Sequence, residues 1–281
     1  MTTFPQRFGP YELHGRLAIG ALFEVFHATR SSSTRKLVCA RVHDFVEPEA
    51  IATMFEDLNL AAQARHPHLL RVEDFGQFDG HAFLCTEFVD GVELRPWKVP
   101  APLAVAAEVC AQLCDALAVA HAMDLVHGEV QLNNVMVSRA GDVKLRGLGL
   151  ARCRRGVMPH RGVMIVPLHF LSPEQLRGVE ASAASDVFSL GLLLCELVTG
   201  RRPFEHESQL QSLKATLDEP PAPEVMALLP KPLLPIVARA LQKSPAQRFE
   251  SVHEMAEALR AAGGGVRKAQ LAEWAGAHQR T

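Results

Sequence analysis

From Val143 to Pro173 the chain contains no Asp or Glu, while Lys144, Arg146, Arg152, Arg154, Arg155 and Arg161 are all basic. A stretch of that kind suits holding an anion without a metal, or docking an acidic partner; a solvated loop is the plainer alternative. Cys110 and Cys114 stand four residues apart, which places both thiols on one helix face. Their neighbours are apolar and no His joins the pattern, so buried thiols are expected there, not metal ligands. Cys39, Cys85, Cys153 and Cys195 complete a set of six with no C-x-x-C pair, too sparse for a disulfide framework and in keeping with reduced thiols. His66 and His68 flank Pro67 and belong to a turn. Trp274 either packs back on the chain or anchors a partner.

These residues need elements to hold them. Residues 22–28 and 36–42 are rich in branched and aromatic side chains around a serine cluster, which reads as a hairpin. Residues 49–65 carry Ile51, Met54, Phe55, Leu58 and Ala62 at helical spacing, up to His66-Pro67. Two more strands are expected at 69–75 and 82–89, joined at Asp79-Gly80. After Asp90-Gly91 the character changes. A long apolar helix is expected at 103–123, then short β pieces at 135–137 and 143–145. From Ala183 the pattern is helical, at 185–198, 210–217, 233–241 and 251–260. The first of these is apolar all round, as for a helix buried on every side. Gly263-Gly264-Gly265 precedes a short tail. A strand-rich half followed by a helical half gives an α+β chain of two lobes.

Composition narrows the function classes. With 48% hydrophobic and 21% charged residues the chain has material for a core. A net charge of -2 gives no bulk reason to bind nucleic acid. Residues 1–11 lack an apolar signal core, and Glu108, Gln112 and Asp115 interrupt the longest apolar stretch. No membrane association is expected, and the expected compartment is the cytoplasm.

Motifs in a fixed order then resemble the eukaryotic-like Ser/Thr protein kinases of bacteria, across about residues 11–260. Val38-Cys39-Ala40-Arg41 is similar to the V-A-I-K strand, and Glu87-Phe88-Val89-Asp90-Gly91 to the hinge. His127-Gly128-Glu129 to Asn134 resembles the catalytic loop, and Val143 to Gly149 the D-F-G region. Ser172-Pro173-Glu174, Asp186 to Gly191 and Pro245 to Phe249 resemble the later landmarks. The resemblance implies a bilobal kinase-like fold: a small β-rich N-lobe at 1–89, a large α-helical C-lobe at 90–262, and a Gly-linked tail at 263–281.

It also implies which residues should do the chemistry, and many are altered. Ala18, Gly20 and Phe23 fall on the three loop glycines, so only Gly20 remains; Phe23 points to an occluded loop, with a loop for a different ligand as the alternative. Arg41 replaces the phosphate-binding Lys. Asp57, or else Glu56, stands for the helix Glu, and an Arg41–Asp57 pair would keep the structural strut. Thr86, Glu87 and Val89 fall on the strand end and hinge that line a nucleotide site. In the catalytic loop Glu129 replaces the base Asp, Gln131 the Lys, and Asn134 matches the second metal ligand. The extra methylene of Glu129 displaces the acceptor by about 1 Å, which can cost on the order of a hundredfold. Gly147 stands where the metal-binding Asp belongs, and magnesium needs a carboxylate besides phosphate oxygens. No metal site is therefore expected. Residues 148–171 contain no Ser, Thr or Tyr, and Gly128 replaces the Arg that would read a phosphate there. His127 matches a scaffold residue, Glu174 and Arg248 match a buried ion pair, and Asp186 matches the residue that anchors the catalytic-loop backbone.

The resulting expectation is a pseudokinase acting by binding or scaffolding, with a protein partner such as an active kinase. The alternatives are an atypical Ser/Thr kinase with residual phosphotransfer, and a metal-independent nucleotide sensor. The cofactor expectation is none, or ATP held with weak or no dependence on magnesium.

Overall fold

The computed structural model describes residues 4–31, 33–94, 100–156, 168–263 and 265–278. Its strands are β1 (Gln6–Phe8), β2 (Tyr11–Ile19), β3 (Phe23–Arg30), β4 (Lys36–Val42), β5 (Val72–Phe78), β6 (His81–Glu87), β7 (Gly91–Glu93), β8 (Val135–Ser138) and β9 (Val143–Leu145). Its α-helices are α1 (Pro48–Ala61), α2 (Leu103–His121), α3 (Ala151–Gly156), α4 (Pro173–Leu176), α5 (Ala183–Thr199), α6 (Gln209–Asp218), α7 (Pro223–Met226), α8 (Leu234–Ala240), α9 (Val252–Gly263) and α10 (Lys268–His278). The chain forms two compact units. The first takes in Met1–Arg65, Leu70–Val89 and Leu148–Val166; the second takes in His66–Leu69, Asp90–Gly147 and Pro167–Thr281.

The first unit is a six-stranded antiparallel sheet in the order β1-β2-β3-β4-β6-β5, with α1 and α3. Alternation along the strands sends one set of side chains inward. Tyr11, Leu13, Phe26, Ala28, Leu37, Cys39, Phe83 and Cys85 thereby share one core cluster. Cys39 and Cys85 stand opposite each other in register, both buried as thiols. Helix α1 begins with Pro48, whose missing N–H is no loss in the first turn. It buries Ala50, Met54, Asp57, Leu58 and Ala61, a stripe at helical spacing.

The second unit contains the antiparallel sheet β7-β8-β9 and the remaining helices. Helix α5 is buried from Ser185 to Val198 without interruption. Helix α2 is long and apolar enough to cross a membrane by length and composition, but 67% of its apolar window is buried within the fold. Its polar interruptions have local partners: Gln112 donates to Glu108 at 2.8 Å, and Asp115 pairs with Arg260 of α9.

The tail folds back. Leu271, Trp274 and Ala275 of α10 are buried, Trp274 to 8% exposure, so the packed alternative for this residue holds. Lys268 pairs with Asp142 in the turn between β8 and β9. At Gly141 in the same turn, φ is +85° and a Cβ would stand 1.9 Å from the Lys268 carbonyl oxygen. Only glycine allows that approach.

Candidate functional site

In the first unit, the loop expected to cradle phosphate is a two-residue hairpin turn. The Gly20 N–H donates to the Phe23 carbonyl at 2.8 Å, leaving Ala21 and Leu22 at the tip. Leu22 and Phe23 are both buried, at 2% and 7% exposure. Phe23 pairs with Val42 in register, so its ring is absorbed into the sheet unit. His43, the residue after β4, fixes the turn: its N–H donates to the Leu22 carbonyl at 2.9 Å, and its ring Nε2 lies 2.9 Å from the Gly20 carbonyl.

The expected Arg41–Asp57 strut is corrected by the structure. Arg41 Nη2 donates to Glu24 Oε2 at 2.5 Å, and Arg16 donates to the other Glu24 oxygen at 3.1 Å. Glu24 and Arg41 are directly opposite on β3 and β4, the arrangement in which cross-strand charges pair best. Burial pushes the Glu24 carboxyl up, but the two guanidiniums outweigh it and hold the carboxyl below its ordinary value. Asp57 does face inward, with a side chain 7% exposed, whereas Glu56 is 70% exposed. The Asp57 carboxylate accepts from Arg152 Nη1 of α3 at 2.8 Å, and Arg152 also approaches Glu56 at 3.8 Å. Arg152 thus pairs with two carboxylates of α1. Of the rest of the basic run, Arg161 lies outside the described residues.

Thr86 and Glu87 end β6 and Val89 follows it, and all three are half-buried. Thr86 sits opposite Val38 in register. Glu87 is tied to the strand beside it: its N–H donates to the Arg71 carbonyl at 3.0 Å, and its carboxylate accepts the Arg71 N–H at 2.9 Å.

In the second unit, the loop 127–134 is held from below by Asp186, which is fully buried. Its carboxylate accepts the N–H groups of His127 at 3.0 Å and Gly128 at 2.7 Å, and lies 2.8 Å from His121 Nε2. His127 is buried and links two chain segments. Its Nδ1 accepts the Glu129 N–H at 3.3 Å, leaving Nε2 to donate to the Arg146 carbonyl at 3.0 Å. Glu129, Gln131 and Asn134 are buried at 4–5% exposure. Asn134 Nδ2 donates to the Glu129 carbonyl at 2.9 Å. The Arg146 N–H donates to the Asn134 carbonyl at 2.8 Å and so brings Gly147 alongside. A Cβ on Gly147 would stand 3.6 Å from Asn134 Nδ2.

The structure therefore brings Asn134 and Gly147 together, where a metal would need two ligand side chains. One is a neutral amide and the other is absent. Among the described residues no three His, Cys, Asp or Glu side chains are grouped to hold a metal. Magnesium takes hard oxygen ligands and favours carboxylates, so this donor set does not fit it. Gly147 also has φ +93°, a region that side-chain-bearing residues rarely adopt.

Two features escaped the sequence reading. Arg146 Nη1 donates to Glu93 Oε1 at 2.6 Å, an ion pair from the residue before Gly147 to β7. The strand register of β7, β8 and β9 is the signal that would have found it. The second is α3, a helix of six residues that carries Arg152.

The structural pair is complete. Arg248 is fully buried and forks onto both Glu174 oxygens at 2.7 and 2.8 Å. It also donates to the carbonyls of Gln242, Lys243 and Ala184. Ser185 Oγ donates to Glu174 at 2.7 Å. Burial raises the Glu174 carboxyl, but Arg248 and then Ser185 outweigh it and bring it down to about 2.

Comparison with known proteins places this arrangement. A family model described as "Protein kinase domain" matches residues 11–259. The probable serine/threonine-protein kinase PknB of Lactococcus lactis is 30% identical over 258 residues, covering 87% of this chain and 40% of that protein. Serine/threonine-protein kinase PknB of Mycobacterium leprae is 31% identical over 269 residues, covering 91% of this chain and 43% of that protein. The chain thus spans well under half the length of these relatives. The solved kinase domain of Mycobacterium tuberculosis PknI superposes with a TM-score of 0.74 at 24% identity, covering 94% of this chain and all of that domain, a likeness of fold. The chain belongs to the protein kinase family, in its bacterial, eukaryotic-like Ser/Thr branch.

Proposed function

We propose that this kinase domain is a pseudokinase that works by binding a protein partner, such as an active kinase, rather than by magnesium-dependent phosphotransfer. The observation that carries the reading is Gly147 beside Asn134, where a carboxylate would be needed to hold metal. Phosphoryl transfer depends on metal and cationic groups to neutralise phosphate charge. Two further features support it. Arg41, at the position of the phosphate-binding Lys, is ion-paired with Glu24, and Asp57 is paired with Arg152. The supports are retained at the same time: Asp186 under the loop, and Glu174 with Arg248.

Thermal shift with ATP, run with and without magnesium, tests the reading against its rivals. No shift supports a pure binding module. A shift that ignores magnesium supports a nucleotide sensor instead, and a large magnesium-dependent shift supports a residual kinase.

A further inference from the structure

One cavity lies wholly within the first unit and has a volume of about 690 Å³. The loop between β4 and α1, the first turns of α1, and the hairpin joining β5 to β6 form its walls. Its apolar surface includes Phe45, Ile51 and Phe55, all incompletely buried. Asp44, Glu47 and Asp79 add three carboxylates, and among the described residues no Lys or Arg lines it. His81 lies 2.9 Å from Asp44, whose side chain is nonetheless 83% exposed. His43 stacks on Phe45 with ring centroids 5.1 Å apart.

This chemistry selects against anions, phosphate and nucleotide included. A metal is also disfavoured, because the carboxylates are not gathered as a ligand set. The volume is that of a ligand site, but the carboxylates stand on exposed residues, so an occupant stays partly in solvent. That fits a side-chain anchor of a larger partner better than an engulfed small molecule. Aromatic faces attract a cation, and carboxylates pair with a guanidinium or ammonium.

We infer that this cavity docks a segment of a protein partner presenting an arginine or lysine beside a large apolar side chain. The inference goes beyond the proposed function, and its test contains no nucleotide. Failure here leaves the absence of phosphotransfer standing, and turnover in a kinase assay leaves this site standing.

The test is a ¹⁵N–¹H NMR titration of the full chain with a capped tetrapeptide of alternating phenylalanine and arginine. A matching peptide of phenylalanine and glutamate is the control. The expected result is saturable shifts confined to residues 42–55 and 77–82 with the basic peptide, and none with the acidic one. The triple variant Asp44→Asn, Glu47→Gln, Asp79→Asn should weaken binding at least tenfold, and Ile51→Ala severalfold, with unchanged melting. Asp79 has φ +50°, a conformation that asparagine adopts readily, so the triple variant keeps the turn. Shifts located elsewhere, equal response to both peptides, or undiminished binding by the triple variant would overturn the inference.

Discussion

Replacing Glu174 by Gln removes one charge from an ion pair whose other member, Arg248, is fully buried. The fork onto two carboxylate oxygens is lost, while the carbonyls of Gln242, Lys243 and Ala184 still hold the guanidinium. Two routes give the cost. Removing one partner of a buried pair costs about 3–5 kcal/mol. The carboxyl itself falls from 4.5 to about 2 on folding. At about 1.4 kcal/mol per pH unit, that fall is worth roughly 3 kcal/mol. Because the folded value is depressed, the contribution is fully present above pH 4.5 and is lost as pH falls toward 2. Urea unfolding of the full chain, followed by Trp fluorescence, should therefore show Glu174→Gln about 3 kcal/mol less stable at pH 7, with the gap narrowing by pH 3. A melt should shift by roughly 6–12 °C. A gap under about 1 kcal/mol, or one of equal size at pH 3 and pH 7, would refute the reasoning.

Gly147→Asp supplies the missing carboxylate but places a side chain at φ +93°; it should lower stability by about 1–3 kcal/mol and leave phosphotransfer undetected, checked by melting and a radiolabel assay. Arg152→Ala withdraws a cation from the inward-facing Asp57 and should cost about 1–3 kcal/mol, with faster hydrogen exchange in α3 as the readout. Truncation after Gly263 removes Leu271, Trp274 and Ala275 from their buried positions and should lower the melting temperature by several degrees, with faster exchange in the β8–β9 turn.

Much of this was legible in the residues. The hairpin of β3 and β4, the stripe of α1 and the all-round burial of α5 follow from period and composition, and the ordered landmarks give the family. The pairing of Glu174 with Arg248 and the anchoring by Asp186 were legible because those residues match motifs with fixed structural partners. The partners of Arg41 and Asp57 were not. A long guanidinium chooses among carboxylates by strand register, and β3 places Glu24 directly opposite Arg41. Asp57 then pairs with a helix too short for periodicity to reveal, α3. For α10 the residues left Trp274 open between packing back and anchoring a partner, since it and Leu271 sit in a short tail without strong amphipathic pattern. Its mark in the sequence is Gly141, at a turn far from the tail.

The most direct test of the account is transfer of labelled phosphate from ATP by the purified chain, to itself and to a general Ser/Thr kinase substrate, with magnesium and with manganese. A pseudokinase gives incorporation no greater than the enzyme-free blank, and the same for Glu129→Ala. Incorporation above the blank that disappears in Glu129→Ala would contradict it.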